Sequence, residues 1–329
     1  MNSYGTLFRV TLYGESHQEA IGIVIDGTPS GIKIDETKIT HDLNLRKPGA
    51  IGTTPRKEAD LFKITSGVFN GYSTGSPIHL TIENQNIKSG DYEKLKNQPR
   101  PGHADFVAHQ KFGGFEDYRG GGHFSGRLTA CLVAAGVVAK QLVGSIEITA
   151  TLMEVGGENS IEKGIDKAIA QQDSVGGIVE CVVKGLPIGL GEPFFDSVES
   201  LLAHAIFSIP AVRGIEFGTG FAAARMFGSE HNDSIIATDG TTATNHAGGV
   251  VGGLTNGNEL KFRVAIKPTS STPQQQKSLN TATGEQEVFL VKGRHDLCIA
   301  LRVPVVVEAV TAIVLADLLL LEQKITRVN

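Results

Sequence analysis

Five histidines of this chain stand in loops beside glycine, arginine or carboxylate. They are His17 in Gly14-Glu15-Ser16-His17, His103 in Arg100-Pro101-Gly102-His103-Ala104-Asp105, and His123 after Gly120-Gly121-Gly122. His246 follows Asn245, and His295 lies in Arg294-His295-Asp296. Imidazole is the side chain suited to carrying a proton near neutral pH. One such histidine is ordinarily a satisfied surface or core residue, but several beside turns point to a shared site. His17 follows a predicted strand, a rigid platform for a reactive group. In the second motif proline fixes the approach, glycine permits the turn, and Asp105 can orient His103.

The other candidates suit an anion. Arg119 to Arg127 places three glycines, His123, Phe124 and Ser125 before an apolar run, and glycines ahead of a helix expose N–H groups where the helix dipole favours negative charge. Arg119 and Arg127 add guanidiniums able to pair with phosphate. The segment is neither a Walker loop nor G-x-G-x-x-G after a strand. Lys267-Pro268-Thr269-Ser270-Ser271 offers an ammonium and three hydroxyls. Arg46, Lys47, Arg56, Lys57, Arg127 and Arg294 collect near these loops in an acidic protein, which favours a small polyanionic ligand. Arg294-His295-Asp296 lies between apolar stretches, where such groups need pairing or function. Three readings fit these residues: acid–base chemistry on a phosphorylated anion, a metal-dependent phosphohydrolase built on His103 and Asp105, or a non-catalytic anion-binding protein. No H-E-x-x-H or H-x-x-x-H accompanies His103, so no metal ligand is assigned.

The elements that must position these groups mix strands and helices throughout. Strands are expected at Leu7 to Tyr13, Ile21 to Ile25, Phe62 to Phe69, Ile78 to Glu83, Ile178 to Val183, Leu260 to Ile266 and Val288 to Val291. Asn70-Gly71 supplies turn chemistry. Helices are expected after the N-cap Asp35, over Thr129 to Val143, Ile161 to Gln171 and Val198 to Phe207, and after Pro304. Residues 84 to 122 read as a long, poorly periodic loop, a length that usually signals function. No linker or repeat divides residues 1–329, so one α+β domain is expected, with sheets packed around central helices.

Composition narrows the class. Of 329 residues 40 are glycine, well above the roughly 7% of average usage, and no low-complexity period explains the excess. The formal net charge of −5, from 30 basic and 35 acidic residues, offers no global field for nucleic acid. Cys131, Cys181 and Cys298 are an odd number in apolar surroundings with no C-x-x-C pair, which suits core thiols in a reduced cytoplasmic protein. The N-terminus lacks a signal-peptide pattern. Val305 to Leu321 is strongly apolar but carries Glu308, Thr311 and Asp317, so it reads as a buried helix and not a membrane span.

Taken together, FRVTLYGESH, RPGHADFVAHQKFGGFEDYRGGGHFSGRLTA, ATNHAGGVVGG, KPTSS and GRHDLC resemble the chorismate synthase family in order and spacing, over residues 6 to 322. The resemblance implies a β-α-β sandwich and a homotetramer. The implied reaction is the last step of the shikimate pathway, a 1,4-anti elimination of phosphate from 5-enolpyruvylshikimate 3-phosphate to chorismate, which requires reduced FMN without net redox change. It leaves open whether the enzyme reduces its own flavin with NADPH. By the same resemblance His17 is a general acid at the phosphate, His103 donates a proton near the flavin, and Asp296 assists loss of the ring proton. Arg46, Arg127 and Ser16 map to substrate contacts. His123, Phe124, Ser125, Ala211, Gly252, Lys267, Pro268, Thr269, Ser270, Ser271 and Arg294 map to cofactor contacts. The family usually shows Arg-Ser-Ser where this chain has His123-Phe124-Ser125, and an arginine where it has Leu45.

Overall fold

In the computed structural model, which describes residues 1–54, 59–85, 96–290 and 295–324, the chain begins with β1 (Ser3–Tyr4), β2 (Arg9–Gly14) and β3 (Ala20–Asp26). Helix α1 (Glu36–Arg46) follows, and the Asp35 side chain accepts from the Thr37 N–H at its start, as N-caps do. The strand expected over 62 to 69 is broken. Gly67, at φ +80°, passes so close to Ile78 that a Cβ would collide with its backbone, and the chain divides into β4 (Phe62–Ser66) and β5 (Val68–Phe69). Asn70 and Gly71, both at positive φ, turn β5 into β6 (Tyr72–Ser73), and β7 (Ile78–Glu83) completes an antiparallel sheet in the order β1-β2-β3-β7-β4.

The stretch read as one long loop contains helix α2 (Asp105–Phe112). Of its residues only Ala108 is buried, so no apolar stripe marked it in the sequence. Helix α3 (Thr129–Val143) then runs to β8 (Glu147–Val155), helix α4 (Ile161–Gln171) and β9 (Gly177–Lys184). Strand β8 went unpredicted because it is an edge strand whose inner residues, such as Ile148 and Leu152, are only half-buried. After helix α5 (Val198–Ile206) come β10 (Val212–Phe217), the short helix α6 (Gly228–His231), the hairpin β11 (Val250–Val251) with β12 (Leu254–Thr255), and β13 (Leu260–Ile266). The second sheet is also antiparallel, in the order β10-β13-β9-β8. A final hairpin, β14 (Gln276–Leu279) with β15 (Gln286–Phe289), precedes helix α7 (Pro304–Lys324).

Both sheets turn an alternating apolar face inward. Ile21, Ile23, Ile25, Ile78, Leu80 and Ile82 do so on one, and Val179, Cys181, Val183, Leu260, Phe262 and Val264 on the other, all fully buried. Full burial of such a side chain contributes roughly 1.5–3 kcal/mol. Helices α3 and α7 lie between them, α3 against the first sheet and α7 against the second, which is the expected sandwich around central helices. The two helices touch at Gly136, where a Cβ would collide with Ala309. The segment Gly126–Val143, which includes α3, and helix α7 are long and apolar enough to cross a membrane, but most of each is buried inside the protein. The polar residues within the apolar body of α7 each have a partner. Asp317 accepts from the backbone N–H groups of Thr6, Leu7 and Phe8, Glu308 from Lys140 and the Ala150 N–H, and Thr311 donates to the Val307 carbonyl.

Candidate active site

Gly120, Gly121 and Gly122 all have positive φ, a conformation open to glycine at little cost. That backbone lets two imidazoles pack on adjacent residues. A Cβ on Gly120 would strike the His17 ring, and one on Gly121 would lie 2.9 Å from Cε1 of His103. The loop between β2 and β3 docks here through Ser16, whose N–H donates to the Gly122 carbonyl at 3.2 Å and whose hydroxyl donates to the Gly120 carbonyl at 3.1 Å. Ser16 Oγ also lies 3.2 Å from Nδ1 of His17, which is 5% exposed.

His103 has a built orientation. Its Nδ1 lies 2.6 Å from Asp105 Oδ1 and donates to it, which leaves Nε2 to exchange a proton with a ligand. Arg100 grips the same carboxylate with Nε at 2.7 Å and Nη2 at 2.8 Å. Burial opposes the charge on Asp105, but the hydrogen bonds from Arg100 and His103 outweigh it and hold the carboxyl well below the usual range.

A cavity of about 270 Å³ opens beyond the same glycine turn, lined by Ser125, Arg127, Arg46, Asp60, Asp296 and Arg302 among others. Asp60 bridges two arginines, taking Arg46 Nη2 at 2.9 Å on one oxygen and Arg127 Nη1 on the other. Burial raises the cost of the Asp60 charge, yet the two guanidiniums keep its carboxyl ionised below its ordinary value. Asp296 accepts from the Thr54 N–H at 2.8 Å and from Arg302 at 3.1 Å, and Arg302 also donates to the Arg46 carbonyl. Three guanidiniums thus face two carboxylates. The excess positive charge in a half-enclosed space suits an anion.

The lysine loop closes one side. Lys267 Nζ and Ser270 Oγ both donate to the Gly102 carbonyl, next to His103, at 2.5 and 2.8 Å. Pro268 follows Lys267, whose N–H donates to the Ala211 carbonyl. Thr269 and Pro210 line the cavity, Ser271 is buried, and Ala211 holds φ +77°.

Other candidates are placed differently. His123 faces the end of β2, with Nδ1 donating to the Gly14 carbonyl at 2.7 Å, so it braces the strand. Phe124 is 42% exposed and lies against Phe112. Ser125 caps the turn into α3 by accepting from the Arg127 N–H. Gly252 turns the exposed β11–β12 hairpin and does not line the cavity. His246 stacks on His231 and meets Thr219, also off the cavity. Lys47 is tied to Asn44 and the Ala59 carbonyl, and Leu45 is exposed. Arg294, Arg56 and Lys57 lie outside the described residues. Among the described residues no group of three or more His, Cys, Asp or Glu side chains is arranged to hold a metal.

Sequence reasoning missed Asp60, Asn84, Thr54 and Arg302. Arg302 carried a usable signal, a lone cation in the apolar run IALRVPVVVEA, which needs a buried partner. Asp60 and Asn84 carried none, since an acid before a strand and an amide after one are ordinary turn residues.

A family model described as chorismate synthase matches residues 8–320. The chain is 67% identical to chorismate synthase of Chitinophaga pinensis, over all of this chain and 99% of that protein. It is 43% identical to chorismate synthase of the archaeon Aeropyrum pernix, covering 98% and 93% of the two chains. A crystal structure of a chorismate synthase superposes with a TM-score of 0.76 at 27% identity, covering 97% of this chain and 93% of that one. By sequence along its whole length, and by a fold shared with a solved relative, this chain belongs to the chorismate synthase family.

Proposed function

We propose that this enzyme is a carbon–oxygen lyase that eliminates phosphate from 5-enolpyruvylshikimate 3-phosphate in the 1,4-anti sense to give chorismate, at the cavity described above. The observation that carries the reading is convergence. Residues 119–127 run from the glycines that seat His17 and His103 to the Ser125 and Arg127 that line the cavity with Asp296. Breaking the carbon–oxygen bond to phosphate builds negative charge on the leaving oxygens. In this reading Arg46 and Arg127, on the cavity wall, bind that charge, and His17 holds a proton for the departing phosphate. Asp296, oriented by Arg302 and Thr54, is placed to take part in removing the ring proton. His103, oriented by Asp105, holds a proton on the cofactor side.

Reduced FMN is the cofactor we assign. The residues fit such a group: Thr269 Oγ1 is buried without a hydrogen-bond partner among the described residues, and it sits on the cavity wall beside the lysine loop. Lys267, Thr269, Ser270, Ser271, Ser125 and the Ala211 segment would hold the flavin and its phosphate. When bound, reduced FMN supplies electron density to the allylic system while the protein positions and protonates. We further assign a homotetramer in the cytoplasm. Exposed Phe194, Phe195, Phe221 and Phe227, each at least 76% accessible, favour association, and three buried free thiols suit a reducing compartment.

The test is anaerobic incubation of enzyme, reduced FMN and 5-enolpyruvylshikimate 3-phosphate. The expected outcome is phosphate and chorismate in equal amounts. Phosphate release that proceeds without flavin, or none with it, rejects the reading.

A further inference from the structure

Asn84 directly follows β7 and touches both halves of the site. Its N–H donates to the Glu19 carbonyl at 2.9 Å. Its side-chain Nδ2 donates to the Glu15 carbonyl at 3.0 Å and the Gln18 carbonyl at 2.9 Å. Its Oδ1 accepts from Arg127 Nε at 3.0 Å. The three carbonyls bracket His17 on both sides along the chain. One planar amide therefore spans the arms of the His17 loop and also fixes the guanidinium that Asp60 holds from its other end.

Only a primary amide fits this position among the neutral side chains. It offers two donors and an acceptor in one plane. Aspartate would keep the acceptor but set charge against two carbonyl oxygens. Glutamine would carry the group one methylene too far. Further ties of the His17 loop run through Ser16 on the glycine turn and Gln18 on Asp117. These reach residues 117–122, whereas the Asn84 amide reaches the Arg127 guanidinium itself.

We propose that Asn84 is a positioning residue for the elimination, locking the His17 loop and the Arg127 guanidinium at one spacing. The inference rests on the reading of His17 as proton donor and Arg127 as anion ligand. Misplacement of a reacting group by about an ångström can cost about a hundredfold in rate, so the effect is kinetic and larger than one hydrogen bond's share of stability.

The test is a double-mutant cycle under anaerobic turnover, with substrate affinity measured separately by calorimetry. Asn84→Ala is expected to lower kcat by about tenfold to a hundredfold in the wild-type background and by less than about twofold in His17→Ala, where there is no imidazole left to position. Calorimetry on Asn84→Ala is expected to show weaker substrate binding, from an Arg127 guanidinium no longer fixed at Nε. Should the alanine variant not fold, Asn84→Asp keeps the acceptor for Arg127, replaces the two donors with a charge that repels the Glu15 and Gln18 carbonyls, and serves the same cycle. Equal losses in both backgrounds, or a folded variant with wild-type kcat and affinity, overturn the proposal. If the wild type itself releases no phosphate, it is the function reading that fails; wild-type turnover matched by the variants sinks the positioning role alone.

Discussion

Two arginine–carboxylate stations flank the glycine turn, and they are built differently. At the cavity, two guanidiniums share one carboxylate, so Arg46, Asp60 and Arg127 carry a net positive charge in a buried setting. On the other side, Arg100 and Asp105 balance one another, and the imidazole of His103 is the third member. The first arrangement is short of negative charge and is completed by an anion. The second is complete in charge and fixes which nitrogen of an imidazole is available. Excess charge marks the place for binding, and balanced charge beside an oriented ring marks the place for proton transfer.

The largest expected effect comes from removing the shared carboxylate. Asp60→Ala leaves two buried guanidiniums facing each other, and loss of one partner of a buried pair typically costs about 3–5 kcal/mol. Urea unfolding should show a loss of that size, with Asp60→Asn less severe. A change under about 1 kcal/mol would mean that the arginines are solvated, and the contrast between the stations would vanish.

Next in size are the imidazoles. His17→Ala and His103→Ala should each lower turnover by roughly a hundredfold, the ordinary scale for acid–base groups, with stability little changed. Wild-type rates in either variant would remove that histidine from the mechanism.

Asp105→Asn sharpens the second station. The amide removes the charge that holds Nδ1–H, and about a tenfold loss in kcat is expected, below that of deleting the ring. The carboxyl's folded value is depressed below its ordinary value of 3.8, so it contributes stability that is present above that pH and lost as pH falls toward the folded value. Stability measured from neutral to acidic pH should therefore fall less steeply in Asp105→Asn than in the wild type.

The smallest effect belongs to a third pair on the same turn. Arg119 and Asp117 meet through two bonds of 2.7 Å, the arginine about a third exposed and the carboxylate nearly buried, and a pair still open to solvent on the arginine side contributes about 1 kcal/mol. Arg119→Ala should thus leave both stability and turnover near wild type. A large loss there would show that burial does not separate the stations.

Much of this was legible in the sequence, for physical reasons. Helix α3 has the predicted limits because it is apolar nearly all round, and α4 and β13 because their apolar residues repeat at the helical and the strand period. His17 and His103 stood out because glycine, proline and charge surround them. The partners that orient them were harder to see. Asp60 and Asn84 act across 67 and 43 residues of chain on Arg127, and no local pattern records such a contact. His123 is a different case, since a histidine after three glycines invites a functional reading and its Nδ1 is engaged by the Gly14 carbonyl at the end of β2. Helix α2 and strand β8 escaped because little of either is buried.

The most direct measurement is a crystal structure of the enzyme with FMN and 5-enolpyruvylshikimate 3-phosphate. The account predicts the substrate phosphate against Arg46 or Arg127 with His17 in hydrogen-bonding reach, and the flavin between the His103 loop and Thr269. Ligands seated away from this cavity, with residues 17, 103 and 296 contacting neither, would contradict it.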